Sequence, residues 1–337
     1  MTRRLARPLT QVHDLFAAVQ GNARIMVVTE GIAAVSFQWF STYFSLYMLA
    51  LGVSEVQVGW LQSVLIVMHV VSTLLGGYVA DRLGRKRTLV IFDIICWGVP
   101  MFLYAIAQNP WYFLVGRALN GLVYVVMPSF DCLFVEDVPP ENRTAVFGVN
   151  QFLMSAARLL APVAGWLVAW LGIIPAGRAI MLICMTSSVS IAIARQFTLH
   201  ETRVGREQQA HTAGSSPWIV GRSYLAAVRS ILQDDKMRTF LLVRILVSFT
   251  WVISSTYAAL TLTADQGVAL SESTISIFPF VSALVAMLMI VLAAGRLRST
   301  AVFGNLLVGQ ALNGLGVLAL FSRRAARSWA VSSGLRA

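Results

Sequence analysis

Long apolar runs separated by short polar breaks dominate the chain. Runs of the roughly 20 residues that a helix needs to cross a bilayer occur at about 25–50, 56–80, 88–108, 111–135, 146–171 and 178–198. A polar segment of about forty residues interrupts them, and three further runs lie at about 239–263, 274–295 and 301–321. The pattern predicts nine membrane-spanning helices and an all-α integral membrane protein. Four regions follow: a six-helix part over 1–198, a polar segment over 199–237, a second transmembrane part over 238–322 and a basic tail over 323–337. Within the polar segment, Glu201–Ser216 shows no apolar periodicity and reads as a mobile, solvated stretch that includes His211, with His200 solvated beside it. Leu225, Val228, Ile231 and Leu232 recur near helical spacing, which predicts a short amphipathic helix over Ser223–Arg238 at the membrane surface. Met1–Ala23 is a basic arm with Arg3, Arg4 and Arg7 and lacks the apolar core of a removable signal.

Composition agrees with the pattern. Of 337 residues, 57% are hydrophobic and 12% charged, and the mean hydropathy is +0.73. The net charge of +11 does not indicate nucleic acid, because the cations sit in short loops between apolar runs rather than on one polar face. It indicates orientation. One side receives the amino-terminal arm, Arg82 to Arg87, Arg143, the polar segment and Arg296 and Arg298; the other receives Glu55, Asp265, Glu272 and, among cations, Arg178. The first side is therefore expected to be cytoplasmic, amino terminus included, in a plasma membrane (the inner membrane if bacterial). Cys96, Cys132 and Cys184 fall inside apolar runs without metal-ligand spacing and read as packing residues. No metal or cofactor is expected, and the absence of a Gly-x-x-x-x-Gly-Lys-Ser/Thr loop argues against nucleotide-driven work.

The most informative break is Gly77-Tyr-Val-Ala-Asp81-Arg82-Leu-Gly84-Arg85-Lys86-Arg87-Thr-Leu89. It reads as a tight turn between the second and third runs, with Gly84 able to supply a positive φ. Asp81 falls near a helix carboxyl end, where the dipole disfavours an anion, so it calls for a specific partner. The stretch closely resembles the loop signature between helices two and three of the major facilitator superfamily of transporters, with Val79 in place of a leucine. Leu114-x-x-Arg117-x-x-x-Gly121 resembles the family's fourth-helix signature, and Glu136-Asp137-Val-Pro139-Pro140-Glu141-Asn-Arg143 resembles its loop between helices four and five. The resemblance implies a pairing of Glu136 with Arg85 as a charge relay that stabilises one conformation. Gly148, Pro162 and Gly165 stand in register with a fifth-helix signature of the family's drug/proton antiporters, although Ala157, Ala161 and Trp166 replace glycines of that pattern.

Identities at a constant spacing of 214 residues suggest an internal duplication: Arg24 with Arg238, and Ala80-Asp81-Arg82-Leu83 with Ala294-Gly295-Arg296-Leu297. Two related six-helix halves are what the resemblance implies. A complete second half would extend well past Ala337. The expectation is therefore a six-helix first half with an incomplete, three-helix second half, the chain being truncated after its ninth helix.

Charges inside the runs are costly and usually functional. Glu30 and Arg244, equivalent under the same spacing, are expected to form a charge pair between the first and seventh helices. Arg117 and Arg158 reach similar depth and are candidates to attract an anionic solute or tune a neighbour, while Gln38, Asn120, Gln62 and His69 offer polar contacts. Asp93 and Asp131, nearer the cytoplasmic ends, read first as structural, and Trp39, Phe40, Tyr43 and Phe44 as packing or lipid-facing. The expected function is secondary transport of a small solute by alternating access, coupled to a proton or another ion, by a monomer in contact with membrane lipid. Efflux of an amphipathic compound is favoured on the fifth helix. Uptake of a nutrient or anion, an inactive remnant and a membrane-embedded enzyme are the alternatives.

Overall fold

A computed structural model of the chain describes residues 19–212, separate positions between 222 and 264, and residues 270–293. Among the described residues the structure is helical, with no strand. Six long helices run in chain order: α1 (Gly21–Ala50), α2 (Glu55–Leu83), α3 (Arg85–Ala105), α4 (Pro110–Val135), α5 (Pro140–Leu171) and α6 (Ile173–Thr198). A short helix, α7 (Arg203–Thr212), follows, and α8 (Ile277–Ala293) comes last among the described helices. Helices α2 to α6 are each long and apolar enough to cross a membrane. At 30 residues α1 is as long, but its Asn, Thr, Glu, Gln and Ser positions dilute its apolarity because they face the bundle interior.

The turns follow from local chemistry. Ser54 and Gln57 form a reciprocal capping box at the start of α2, at 3.2 and 2.9 Å. The Asn109 side-chain Oδ1 accepts from the N–H of Trp111 at 3.1 Å, and Pro110 fills the first helical position of α4. Gly84 adopts φ +89° between α2 and α3, a conformation that a side chain would strain.

Helices α3 and α5 each carry a break near a proline. In α3 a π turn spans Ile94–Gly98, just before Pro100. Proline has no N–H for the Cys96 carbonyl four residues back, and the Asn120 amide of α4 donates to that carbonyl instead, at 2.9 Å. In α5 a 3₁₀ turn at Arg158–Leu160 precedes Pro162, and the Trp39 indole N–H donates to the Leu160 carbonyl at 2.9 Å.

Interior and exterior faces separate by helical spacing. Phe40, Tyr43, Phe44, Tyr47, Tyr104 and Phe113 form a buried aromatic core between α1, α3 and α4. On α2, Trp60, Val67, Val70 and Leu74 recur at three-, four- and seven-residue steps and are exposed, a stripe suited to hydrocarbon rather than water. Close packing of α2 on α4 depends on missing side chains: a Cβ at Gly76 would lie 2.6 Å from the Tyr124 carbonyl oxygen.

One expectation is corrected. Glu201–Ser216 is not a loose stretch through its length, because Arg203–Thr212 forms α7 and packs against α2. Its anchors are polar, so a search for apolar periodicity passes over them. The arm before residue 19, half of Ser223–Arg238 including Leu225, Val228, Ile231 and Leu232, the run at 301–321 and the tail at 323–337 lie outside the described residues.

Candidate functional site

Three helices converge on a buried charge cluster. Arg195, 2% exposed and three residues from the end of α6, aims its guanidinium into the bundle. Its Nη2 lies 2.6 Å from Glu30 Oε1 on α1, and its Nη1 lies 2.7 Å from Asp93 Oδ2 on α3. Nε and Nη2 also donate to Thr29 Oγ1, at 3.0 and 2.9 Å. That hydroxyl in turn donates to the Ile25 carbonyl at 2.8 Å. All three guanidinium nitrogens thus have partners, as burial of a charge demands. Two carboxylates against one guanidinium leave one formal negative charge in excess.

The cluster forms one wall of a cavity of about 230 Å³. The other walls are apolar and aromatic, among them Phe37, Trp97, Met127, Phe130 and Met154. Phe37 and Trp97 meet edge to face at 5.4 Å. In such surroundings the field of the cluster is weakly screened, so any change in its charge is felt by the helices that form it and by whatever enters the cavity.

A second network occupies the end of the bundle that carries the basic loop. Arg85 Nη1 lies 2.7 Å from Asp81 Oδ1 and donates to the Ala80 carbonyl at 3.2 Å. Its Nε lies 3.6 Å from Glu136 Oε1 at the end of α4. Glu136 accepts a hydrogen bond from the Thr202 hydroxyl. The Glu201 carboxylate accepts from the backbone N–H groups of Arg85 and Lys86, at 3.0 and 3.1 Å, and so caps α3. From the other end of α7 the Thr212 hydroxyl donates to the Asp81 carbonyl at 2.9 Å. Arg82 projects outward over the Tyr78 ring, Gly77 is half-buried in the last two turns of α2, and Arg143 Nε donates to the Val138 carbonyl at 3.2 Å.

The candidates from sequence distribute unevenly over these sites. Glu30 belongs to the first cluster, and its guanidinium partner among the described residues is Arg195. Arg244, the expected partner, lies outside the described residues. The Arg195 contact has a plain cause: α1 and α3 both pack against α6, and a long arginine near a helix end reaches inward as readily as outward. Asp93, read as structural, is the second acid of the cluster. Asn120 bonds to Cys96 across helices and Gln38 to Thr42 within its own, at 3.1 Å. Neither reaches the cluster.

Arg117 is 8% exposed with its guanidinium 4.4 Å from the Phe44 ring centre, a cation–π contact. No carboxylate among the described residues pairs with it. Arg158 is half-buried at the break in α5. The aromatic residues Phe40, Tyr43 and Phe44 are core, and the His69 ring stacks edge to face on Tyr124 at 4.6 Å. Arg195 escaped the sequence reading because a cation in the last turn of a helix is an ordinary end group.

Comparison with known proteins places this arrangement. The sequence profile of the Major Facilitator Superfamily matches residues 26–334. Over 118 residues the chain is 35% identical to plastidic glucose transporter 4 of Arabidopsis thaliana, covering 34% of this chain and 21% of that protein. Over 131 residues it is 28% identical to the solute carrier family 2 facilitated glucose transporter member 8 of Bos taurus (37% and 27%). Over 143 residues it is 29% identical to the multidrug resistance protein MdtG of Escherichia coli (41% and 35%). The matched stretches thus span 21% to 35% of those relatives. A crystal structure of the peptide transporter POT in complex with sulfate is similar over 85% of this chain and 73% of its own, at 16% identity and a TM-score of 0.49. The profile match over most of the chain, on a multi-pass bundle of apolar helices, establishes that this chain belongs to the Major Facilitator Superfamily.

Proposed function

We propose that the chain acts in secondary transport, moving a small amphipathic solute by alternating access, with the proton as coupling ion and efflux as the direction. The observation that carries this reading is the Glu30–Arg195–Asp93 cluster in the wall of an aromatic cavity. A single excess negative charge suits reversible neutralisation by a proton, and intramembrane acids commonly serve that purpose. When that charge is present, aromatic walls and a nearby carboxylate suit a cationic amphipath. Neutralising it alters the packing balance among α1, α3 and α6, and a change of that kind biases a two-state equilibrium. The Asp81–Arg85–Glu136 network, carried by α2, α3 and the end of α4, supports a latch at the basic end of the bundle. The basic loop orients that end to the cytoplasm of a plasma membrane, and one chain in contact with lipid is the working unit. The relative named as a multidrug resistance protein supports efflux.

A second reading, uptake of a nutrient or anion, draws on the relatives named as glucose transporters and on Arg117, whose Nε is buried without a hydrogen-bond partner among the described residues. Purified chain reconstituted into vesicles with an imposed pH gradient distinguishes the two. Gradient-driven accumulation of ethidium, abolished by a protonophore, supports the first. Accumulation of glucose without ethidium supports the second, and movement of neither removes both.

A further inference from the structure

We propose that a groove at the basic end, between the start of α3, the end of α6 and α7, binds the phosphate headgroup of an anionic phospholipid from the leaflet on that side. The groove has a volume of about 390 Å³, and Lys86, Arg87, Arg206, His200, Gln196 and Glu201 contribute to its lining. Its one acid is already engaged, because Glu201 accepts from the backbone N–H groups of Arg85 and Lys86. Among the described residues no carboxylate pairs with Lys86, Arg87 or Arg206. Three cations with side-chain amides beside them match the donor set that a phosphate recruits.

The surroundings favour a lipid over a soluble phosphate. Ile193, Gln196 and Phe197 share one face of α6 at steps of three and four residues, and His200 follows just beyond the end of that helix. On that face Ile193, one turn inward, is 52% exposed and Phe197, beside Gln196, is 81% exposed. The polar groove therefore continues into an apolar surface at the depth where acyl chains begin, the arrangement that a headgroup and its tails require. A headgroup held there links Arg206 of α7 to Lys86 and Arg87 of α3, reinforcing the contact that Glu201 and Thr212 already make.

The test is native mass spectrometry of the purified chain with phosphatidylglycerol, phosphatidylcholine or inorganic phosphate as probe. The expected result is retention of phosphatidylglycerol in preference to phosphatidylcholine. A K86Q/R87Q/R206Q variant is expected to lose about a hundredfold in affinity, given the usual contribution of each cation near an anionic surface. R203Q removes a charge on the same helix that pairs instead with Glu207, and it is expected to retain binding. Equal retention of the two lipids by the unaltered chain overturns the proposal without recourse to any variant. So does tight binding of inorganic phosphate that displaces the lipid, which would identify a soluble ligand.

Discussion

Arg195 binds two acids at once, and the consequence is asymmetric. Removing the arginine leaves two carboxylates together in a weakly screened interior, whereas removing an acid leaves a balanced pair. Arg195→Gln is expected to destabilise the protein by about 3–5 kcal/mol, the usual cost of breaking a buried pair from one side. The triple change Glu30→Gln, Asp93→Asn, Arg195→Gln is expected to cost less than Arg195→Gln alone. Thermal unfolding in detergent measures both. Strict additivity of the single changes would show that the three residues do not act as a unit. At this scale the sequence was partly legible. Glu30 stood out because an acid deep in an apolar run is rare. Arg195 and Asp93 did not, because each lies near a run's end, where a charge is unremarkable until the fold turns it inward.

Helix α7 shows how an element escapes a reading built on apolar periodicity. Its attachments are a carboxylate on two backbone N–H groups, a hydroxyl on Glu136 and a hydroxyl on a carbonyl. Glu201→Ala is expected to destabilise the start of α3 by about 1 kcal/mol, as loss of a cap does. Hydrogen exchange should then rise together in 85–92 and 203–212. A rise confined to 203–212 would mean that the cap does not support α3. The breaks in α3 and α5 were legible as prolines, but Asn120, which satisfies the carbonyl freed in α3, and Trp39, which bonds to Leu160 at the break in α5, come from other helices and were not.

Contact between α5 and the turn before α8 depends on another small residue. A Cβ at Gly165 would lie 2.1 Å from Ser276 Oγ and 2.6 Å from the Ser273 carbonyl oxygen. Gly165→Val is therefore expected to destabilise the protein by about 1–3 kcal/mol through overpacking. The thermal midpoint should fall accordingly, and an unchanged midpoint would mean that this contact yields freely.

For the whole molecule, the bundle was legible because hydrocarbon leaves an α-helical chain few options: every backbone group must find its partner within the span. Run lengths and loop cations together predict the order and orientation of the helices, whereas which helices touch depends on side-chain fit. Orientation has its own check. With Arg87→Cys the new thiol is expected to resist a membrane-impermeant reagent added outside intact cells, and labelling from outside would invert the topology. The central claim of the proposal is that the Glu30–Arg195–Asp93 cluster couples movement of protons to movement of the solute. The most direct measurement is proton movement into or out of vesicles, driven only by an ethidium gradient and followed with a trapped pH-sensitive dye. The account predicts a solute-driven pH change in the unaltered protein and none in Glu30→Gln/Asp93→Asn, which should also bind ethidium more weakly because its cavity wall then carries only the Arg195 cation. A pH change of equal size in both proteins would contradict it.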